Sequence, residues 1–303
     1  MLKKAAAFLC SFLLLLAMVV VAAASTKDKG KDVPAPGAVD SSQFVGSDQC
    51  SACHEQMTKT VEQGPHWKAK TANAQSCEAC HGPGKAHVDG GGDKTKIFTF
   101  KNLKPSQVAE RCLACHQNNK DHQAFISSQH NRADVTCTSC HSIHKAKVTE
   151  ALLTEKDPGL CYSCHKAEKA AFMKPFHHRV NEGLVKCSDC HNAHGSSSDH
   201  QLRTTAAQDQ VCFKCHTEKR GPFVFEHEPV KVEGCTACHT PHGSSNPRLL
   251  TRARVNSLCL SCHSALTSGM NSGNNHSQNV ARQSCIACHS QIHGSNSQVE
   301  FFK

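Results

Sequence analysis

The sequence predicts an elongated, repetitive fold of short helices and loops with little regular secondary structure. Of its 303 residues, 21 are Cys and 23 are His, whereas aromatic residues make up only 5%. The Cys and His contents lie far above ordinary usage, and so few aromatic side chains leave an ordinary apolar core underfilled. Something other than side chains must therefore organise the interior, either a cofactor or a framework of disulfides.

The cysteines decide between these two possibilities, because every Cys except Cys10 belongs to one of ten C-x-x-C-H motifs. The motif cysteines are Cys50, Cys53, Cys77, Cys80, Cys112, Cys115, Cys137, Cys140, Cys161, Cys164, Cys187, Cys190, Cys212, Cys215, Cys235, Cys238, Cys259, Cys262, Cys285 and Cys288. The motif histidines are His54, His81, His116, His141, His165, His191, His216, His239, His263 and His289. Two thiols on one helical turn reach the two vinyl groups of one haem, and the adjacent His then lies beneath the iron. Zinc sites and disulfides require no His beside each pair, so the spacing predicts ten covalently attached c-type haems.

The histidines outside the motifs follow a repeat of two motifs. When the motifs are numbered along the chain, each even-numbered one has a His upstream and another shortly downstream, and no odd-numbered one has histidines so close on both sides. The upstream residues are His66, His130, His178, His227 and His276. The downstream residues are His87, His144, His194, His242 and His293. Because these ten match ten irons, we predict that they are the distal ligands and that each iron is held by two imidazoles.

Three histidines remain, His122, His177 and His200. We predict His178 rather than its neighbour His177 as a ligand, because its offset from the motif matches the other upstream residues. For any single member of the distal set, a solvent-exposed or backbone-bonded histidine is the alternative. The sequence does not pair a given distal histidine with a given motif.

The even motifs begin at residues 77, 137, 187, 235 and 285, which gives five two-haem units. Repeats of this period normally stack, because one unit cannot bury its own face, and here the buried face would be porphyrin. Short helices are expected to lead into the motifs, for example at 109–113, 158–162 and 209–213. The glycine after three of the downstream histidines is expected to let the backbone turn tightly beside the macrocycle, with a plain turn as the alternative.

Methionine is the other common sixth ligand of haem iron. Only Met57, Met173 and Met270 lie outside the first 24 residues, so at most three haems could use it. An iron with two imidazoles has no vacant position for a substrate. Multihaem reductases of nitrogen compounds often mark an open site with Lys in place of the motif His, and no C-x-x-C-K occurs here. These observations favour an electron-transfer protein, not an enzyme.

The N-terminal residues predict export. Residues 1–24 combine Lys3 and Lys4 with a long apolar run and a small-residue cleavage site, as in a secretory signal peptide. An uncleaved membrane anchor is the alternative, because about 20 apolar residues can span a bilayer. Residues 25–46 are predicted to be a flexible lead-in, and residues 47–303 a decahaem cytochrome c domain.

The charge argues against a nucleic-acid partner. The formal net charge is +9, but the propionates of ten haems would bring the mature protein to roughly −3 to −13, depending on the oxidation state of the irons. A negative protein of this kind does not suit a polyanionic ligand.

Several segments resemble one known family well beyond the C-x-x-C-H motif itself. They are CEACHGPGKAH (77–87), HNRADVTCTSCHSIH (130–144), CSDCHNAHGS (187–196), CHTEKRGPFVFEH (215–227), CTACHTPHGS (235–244) and RQSCIACHSQIHGS (282–295). Over nearly the whole mature chain the sequence is similar to the periplasmic decahaem cytochromes of the MtrA/DmsE family. The resemblance implies an elongated chain of ten bis-His haems that inserts into an outer-membrane β-barrel. It also implies a periplasmic or inner-membrane cytochrome as donor and an extracellular multihaem cytochrome, reductase or other acceptor.

Two other functions remain open at this point. The same ligands would suit a soluble periplasmic carrier that delivers electrons to a terminal reductase. A catalytic multihaem reductase is the other alternative, and it requires an iron with an open position. The direction of electron flow, the terminal acceptor and the individual potentials are not encoded in any motif.

Overall fold

The computed structural model describes residues 40–71, 74–204, 208–263 and 283–302. The α-helices are Ser47–Glu62, Cys77–His81, Lys85–Asp89, Pro105–His116, Gln129–Arg132, Cys137–Cys140, Gly159–Tyr162, Lys166–Phe172, Cys187–Cys190, Glu228–Val232 and Val255–Cys259. The 3₁₀ helices are Ser41–Gln43, Pro65–Lys68, Lys94–Lys96, Phe125–Ser127, Glu150–Leu152, Asp199–Gln201, Gln208–Lys214, Thr217–Lys219, Cys235–Ala237, Pro247–Leu249 and Cys285–Ala287. β-Structure in the described ranges is limited to isolated bridges. The expected architecture of short helices and loops is confirmed.

Apolar packing contributes little to this architecture. The largest cluster of buried apolar side chains consists of Tyr162, Phe172 and Val180. Tyr162 donates a hydrogen bond to Asn181 at 2.9 Å, which satisfies its buried hydroxyl. A cluster of this size stabilises one bend of the chain, so most of the fold must be held together by other means.

The predicted signal peptide and most of the lead-in lie outside the described residues, but the end of the lead-in is held in place. Glu78 is 4% exposed, and its carboxylate accepts hydrogen bonds from the N–H groups of Val45, Gly46 and Gly84 at 2.8 to 3.0 Å. Three N–H donors offset the cost of burying the charge. The chain is therefore held in place at residues 45 and 46, directly before the first motif, and the flexible lead-in remains a prediction.

The motifs sit on single turns of helix, as their spacing requires. Pro105–His116 carries the third motif on its last turns, and Cys137–Cys140 and Cys187–Cys190 each present two thiols from one α-helical turn. In the fourth and fifth units the even motifs begin with 3₁₀ turns, at Cys235–Ala237 and Cys285–Ala287. Both geometries place the two sulfurs on one side, with the histidine directly after them.

A tight turn follows each even motif from the second unit onward and folds back onto that motif. In the second unit Ala151 and Leu152 have φ of 56° and 53°, and the N–H of Thr154 donates to the carbonyl of Cys140 at 2.9 Å. The corresponding left-handed residues in the later units are His200, Gln201, Arg248, Leu249 and Phe301. Residues other than glycine adopt this conformation only where the surroundings enforce it, so the turn is a repeated structural requirement.

Successive units also join through their backbones. Phe176 and Ser244 exchange two N–H···O=C hydrogen bonds of 2.8 and 3.2 Å, which tie the third unit to the fourth. A Cβ on Gly243 would lie 2.1 Å from the carbonyl oxygen of Ala171. The backbone of the preceding unit therefore approaches so closely that only glycine fits at this position.

Within the described residues, no helix has the length and apolar character needed to cross a bilayer.

The close approach at Gly243 gives a test of the unit junction. Gly243→Ala should weaken the contact by about 1–3 kcal/mol, because the new methyl group overlaps the carbonyl of Ala171. The expected result is faster hydrogen exchange of the Phe176 and Ser244 amides. Gly183→Ala is the matched control, since φ is also positive there (76°) but no atom lies within 4 Å of the added carbon. Equal protection of both amides in the two variants would contradict this account.

Candidate haem-binding sites

Nine of the ten motif histidines each face one histidine of the predicted distal set within the described residues. The pairs are His54–His87, His81–His144, His116–His66, His141–His194, His165–His130, His191–His242, His216–His178, His239–His293 and His263–His227, with ring centroids 5.9 to 6.4 Å apart. An imidazole nitrogen binds a first-row metal at about 2 Å, so two rings on opposite sides of one ion have centroids about 6 Å apart. The donor set therefore fits an iron with an imidazole on each face of a porphyrin.

The tenth motif histidine, His289, donates through Nδ1 to the carbonyl of Glu300. The predicted set of distal ligands also includes His276, which lies in 264–282, outside the described residues. The nine other members of the predicted distal set each face a different motif histidine.

The pairs follow a regular exchange between neighbouring units. The upstream histidine of an even motif faces the next odd motif, as His130 faces His165. The downstream histidine faces the previous even motif, as His144 faces His81. Each junction between units is thus crossed by two pairs, and among the nine described pairs His54–His87 is the one that lies within a single unit.

Backbone carbonyls set the orientation of eight of the predicted ligand rings. Nδ1 of eight predicted ligands donates to a carbonyl oxygen at 2.5 to 2.9 Å. These donors are His81, His87, His130, His141, His178, His191, His239 and His289. A ring that donates through Nδ1 carries its lone pair on Nε2, so Nε2 is the atom available to iron.

The carbonyl acceptors are functional groups that the sequence analysis missed. The left-handed turns described above present the carbonyls of Ala151, His200 and Arg248 to the motif histidines of their own units. The upstream histidine His130 donates instead to a carbonyl of the next unit, that of Ala193, which directly precedes the predicted ligand His194. The one sequence signal for the turns is a leucine at nearly the same distance after each of three even motifs, Leu153, Leu202 and Leu250.

Burial keeps several of the remaining rings neutral. It lowers the pKa of His194 to about 4, with neighbouring histidines adding to the effect. Nδ1 of His66, His144 and His194 is buried and has no hydrogen-bond partner among the described residues. For these rings burial, in place of a carbonyl, favours the uncharged form that binds metal.

The three histidines not predicted as ligands occupy other places. His177 donates to the carbonyl of Lys174 and contacts Glu182, which raises its pKa, so it lies apart from its neighbour His178. The carbonyl of His200 accepts the hydrogen bond from His191. The ring of His122 packs edge-on against that of His194 with centroids 4.3 Å apart.

The described methionines lie away from the paired rings. The side chains of Met57 and Met173 are exposed, and Met270 lies outside the described residues. The geometry therefore offers no thioether ligand to compete with the histidine pairs in the described ranges.

Among the described residues, cysteines of consecutive motifs are near enough to influence one another electrostatically. Within each unit the first cysteines of the two motifs interact: Cys50 with Cys77, Cys112 with Cys137, Cys161 with Cys187, Cys212 with Cys235 and Cys259 with Cys285. Between units the neighbours are Cys80 and Cys115, Cys140 and Cys161, Cys190 and Cys212, and Cys238 and Cys262. None of these cysteines forms a disulfide. If each motif holds one porphyrin at its cysteines, the attachment sites would follow one another in chain order.

Comparison with known families agrees with this arrangement. The doubled CXXCH motif family matches residues 129–170, 177–221 and 227–267, and the cytochrome c554 and c-prime family matches 88–142. Each doubled-motif segment pairs an even motif with the next odd one. Each also contains one complete histidine pair, such as His178–His216 in the second segment.

Individual relatives are multihaem cytochromes. The multihaem cytochrome MtrA of Shewanella baltica is 38% identical over 83% of this chain and 79% of its own length. The high-molecular-weight cytochrome c of Nitratidesulfovibrio vulgaris is 24% identical over 88% of this chain but only 44% of its own length. The cytochrome c-type protein NrfB of Escherichia coli is 26% identical over 36% of this chain. With its repeated attachment motifs and an identity of this extent to MtrA, the chain belongs to the MtrA family of multihaem c-type cytochromes, which are electron-transfer proteins.

Proposed function

We propose that the chain holds ten haems, each between two histidines, and moves electrons along them. The observation that carries the proposal is the set of nine unshared histidine pairs with ring separations of 5.9 to 6.4 Å. The tenth site is assigned to His289 and His276 by elimination. All twenty motif cysteines serve as attachment points.

The protein's own groups have three tasks in this function. A haem bound between two imidazoles supplies a reversible one-electron couple and has no vacant coordination position. The histidine pairs exclude substrate and water from both axial sites, which supports electron transfer over catalysis. Carbonyls such as that of Ala151 hold the rings in the ligating tautomer. The cysteine contacts place consecutive attachment sites side by side, so an electron entering at either end has a continuous series of neighbours.

We further propose that the protein is periplasmic and works within an outer-membrane β-barrel. Family membership supports this placement, and so does a physical argument. The hydrocarbon layer is about 30 Å thick, and a chain of short helices and loops would expose unpaired backbone groups to it. A closed barrel with a filled lumen shields such a chain. A periplasmic or inner-membrane cytochrome would then exchange electrons with one end, and an extracellular multihaem cytochrome or reductase with the other.

Haem content and spin state test the central proposal. The mature holoprotein should carry ten covalent haems by intact mass, and its ferric form should be low-spin throughout by paramagnetic resonance, because every iron has two imidazoles. The ferrous protein should not bind carbon monoxide. A clearly smaller haem count, or a high-spin fraction in the unmodified protein, would refute the assignment.

The adjacent residues His177 and His178 allow a matched test of one ligand pair. His178→Ala should leave the iron at His216 with one axial ligand, giving a high-spin signal and carbon monoxide binding equivalent to one haem per chain. His177→Ala removes the same side chain one position earlier and should leave the spectra unchanged, because that ring contacts Glu182 instead. The reverse outcome would show that the two residues have been assigned the wrong way round.

Membrane fractionation tests the proposed association with an outer-membrane β-barrel. Detergent extracts of outer membranes should yield the chain in a 1:1 complex with a large β-barrel protein, and the complex should conduct electrons from an external reductant into sealed liposomes. Recovery of the entire protein in the osmotic-shock fluid, with no barrel bound, would favour the soluble periplasmic carrier.

A further inference from the structure

Two carboxylates lie beside pairs of motif sulfurs in the middle of the chain. In the third unit a carboxylate oxygen of Asp157 and the sulfurs of Cys161 and Cys187 all lie within 4.8 Å of one another. In the fourth unit Asp209 has the same relation to Cys212 and Cys235. Such clusters resemble metal sites, but all four cysteines belong to haem-attachment motifs. What remains is a negative charge next to the edges of two porphyrins in each unit.

The corresponding position in the fifth unit shows that the charge is not needed for folding. The carboxylate of Asp209 accepts a hydrogen bond from the backbone N–H of Cys235 at 3.0 Å. In the next unit the side-chain oxygen of Asn256 accepts the equivalent bond from Cys285 at 3.1 Å. Asp209 and Asn256 occupy the same place relative to the first cysteine of their odd motifs. A neutral amide therefore performs the structural task, and the aspartate adds only a charge.

In the ranges that the structure describes, neither Asp157 nor Asp209 takes part in any of the ion pairs. Both residues are half-buried, where the effective dielectric is lower than in water and a charge acts more strongly. In the second unit the residue that corresponds to Asp209, three positions before the first cysteine of the odd motif, is the buried Ala109. The first unit has the carboxylate of Glu78 nearby, but three backbone N–H groups surround it.

We propose that Asp157 and Asp209 lower the reduction potentials of the fifth to eighth haems relative to the ninth and tenth. Reduction adds one electron to each iron, Fe(III) to Fe(II), and no bond is made or broken. A fixed negative charge beside the porphyrin edge opposes that added electron and stabilises the ferric form. The inference rests on haem attachment at these motifs, as proposed above. It makes the middle of the chain a region of low potential between two ends that are easier to reduce.

The test compares charge changes at equivalent sites in the complete holoprotein. In a spectroelectrochemical titration of the haem bands, Asp209→Asn should move the midpoints of two haems to more positive potential. We expect a change of about tenfold in the one-electron equilibrium, which corresponds to 59 mV. Asn256→Asp should shift the midpoint potentials of two other haems by a similar amount in the negative direction. Asp40→Asn makes the same change in net charge at an exposed residue ahead of the first motif, and it should shift no midpoint potential.

The haem count and the titration curve together distinguish a failure of the tuning role from a failure of the haem assignment. Asp209→Asn with ten haems and an unchanged titration curve would overturn the tuning role and leave the haem assignment intact. If Asp209→Asn instead lost haem, Asn256→Asp would decide the matter, because an unshifted curve in that variant would equally overturn the proposal. Fewer than ten haems in the unmodified chain would reject the proposed function itself.

Discussion

The pairing of an imidazole from one unit with an imidazole from the next is the constraint on which the rest of the structure depends. Two such pairs cross each junction, for example His81–His144 and His66–His116 between the first and second units. Coordination of iron by both rings of a pair would fasten the units together at every junction. A chain fastened in this way needs little apolar packing, which explains why its largest buried cluster has only three members.

The same constraint explains why the backbone accepts unfavourable local geometry. Ala151, His200 and Arg248 adopt left-handed conformations, with φ between 53° and 59°. Each of them presents its carbonyl to the Nδ1 of a motif histidine. An isolated turn would relax to an ordinary conformation, because a side chain disfavours positive φ. Here the hydrogen bond fixes the tautomer, so the local strain serves to aim Nε2 at the metal.

The sequence predicted which residues form the sites but not how those residues connect. The motif spacing predicted the attachment cysteines, and the repeat predicted the distal histidines and favoured His178 over His177. The sequence did not indicate which rings meet, because His130 and the carbonyl it binds are 63 residues apart and the exchange between units leaves no local pattern. The carbonyl acceptors were missed because every residue has one. The close backbone approach at Gly243 was not predicted because the approaching chain belongs to another unit.

The arrangement of the sites also bears on the direction of electron flow. Contacts between first cysteines within a unit alternate with contacts between units, so the order of sites in space follows the order in sequence from Cys50 to Cys288. Such a series conducts equally well from either end. Any preference must therefore come from the potentials along it and from the partners at its termini. Because Asp209 and Asn256 accept the same backbone hydrogen bond in the fourth and fifth units but differ in charge, a side-chain charge at this position would grade those potentials without altering the path.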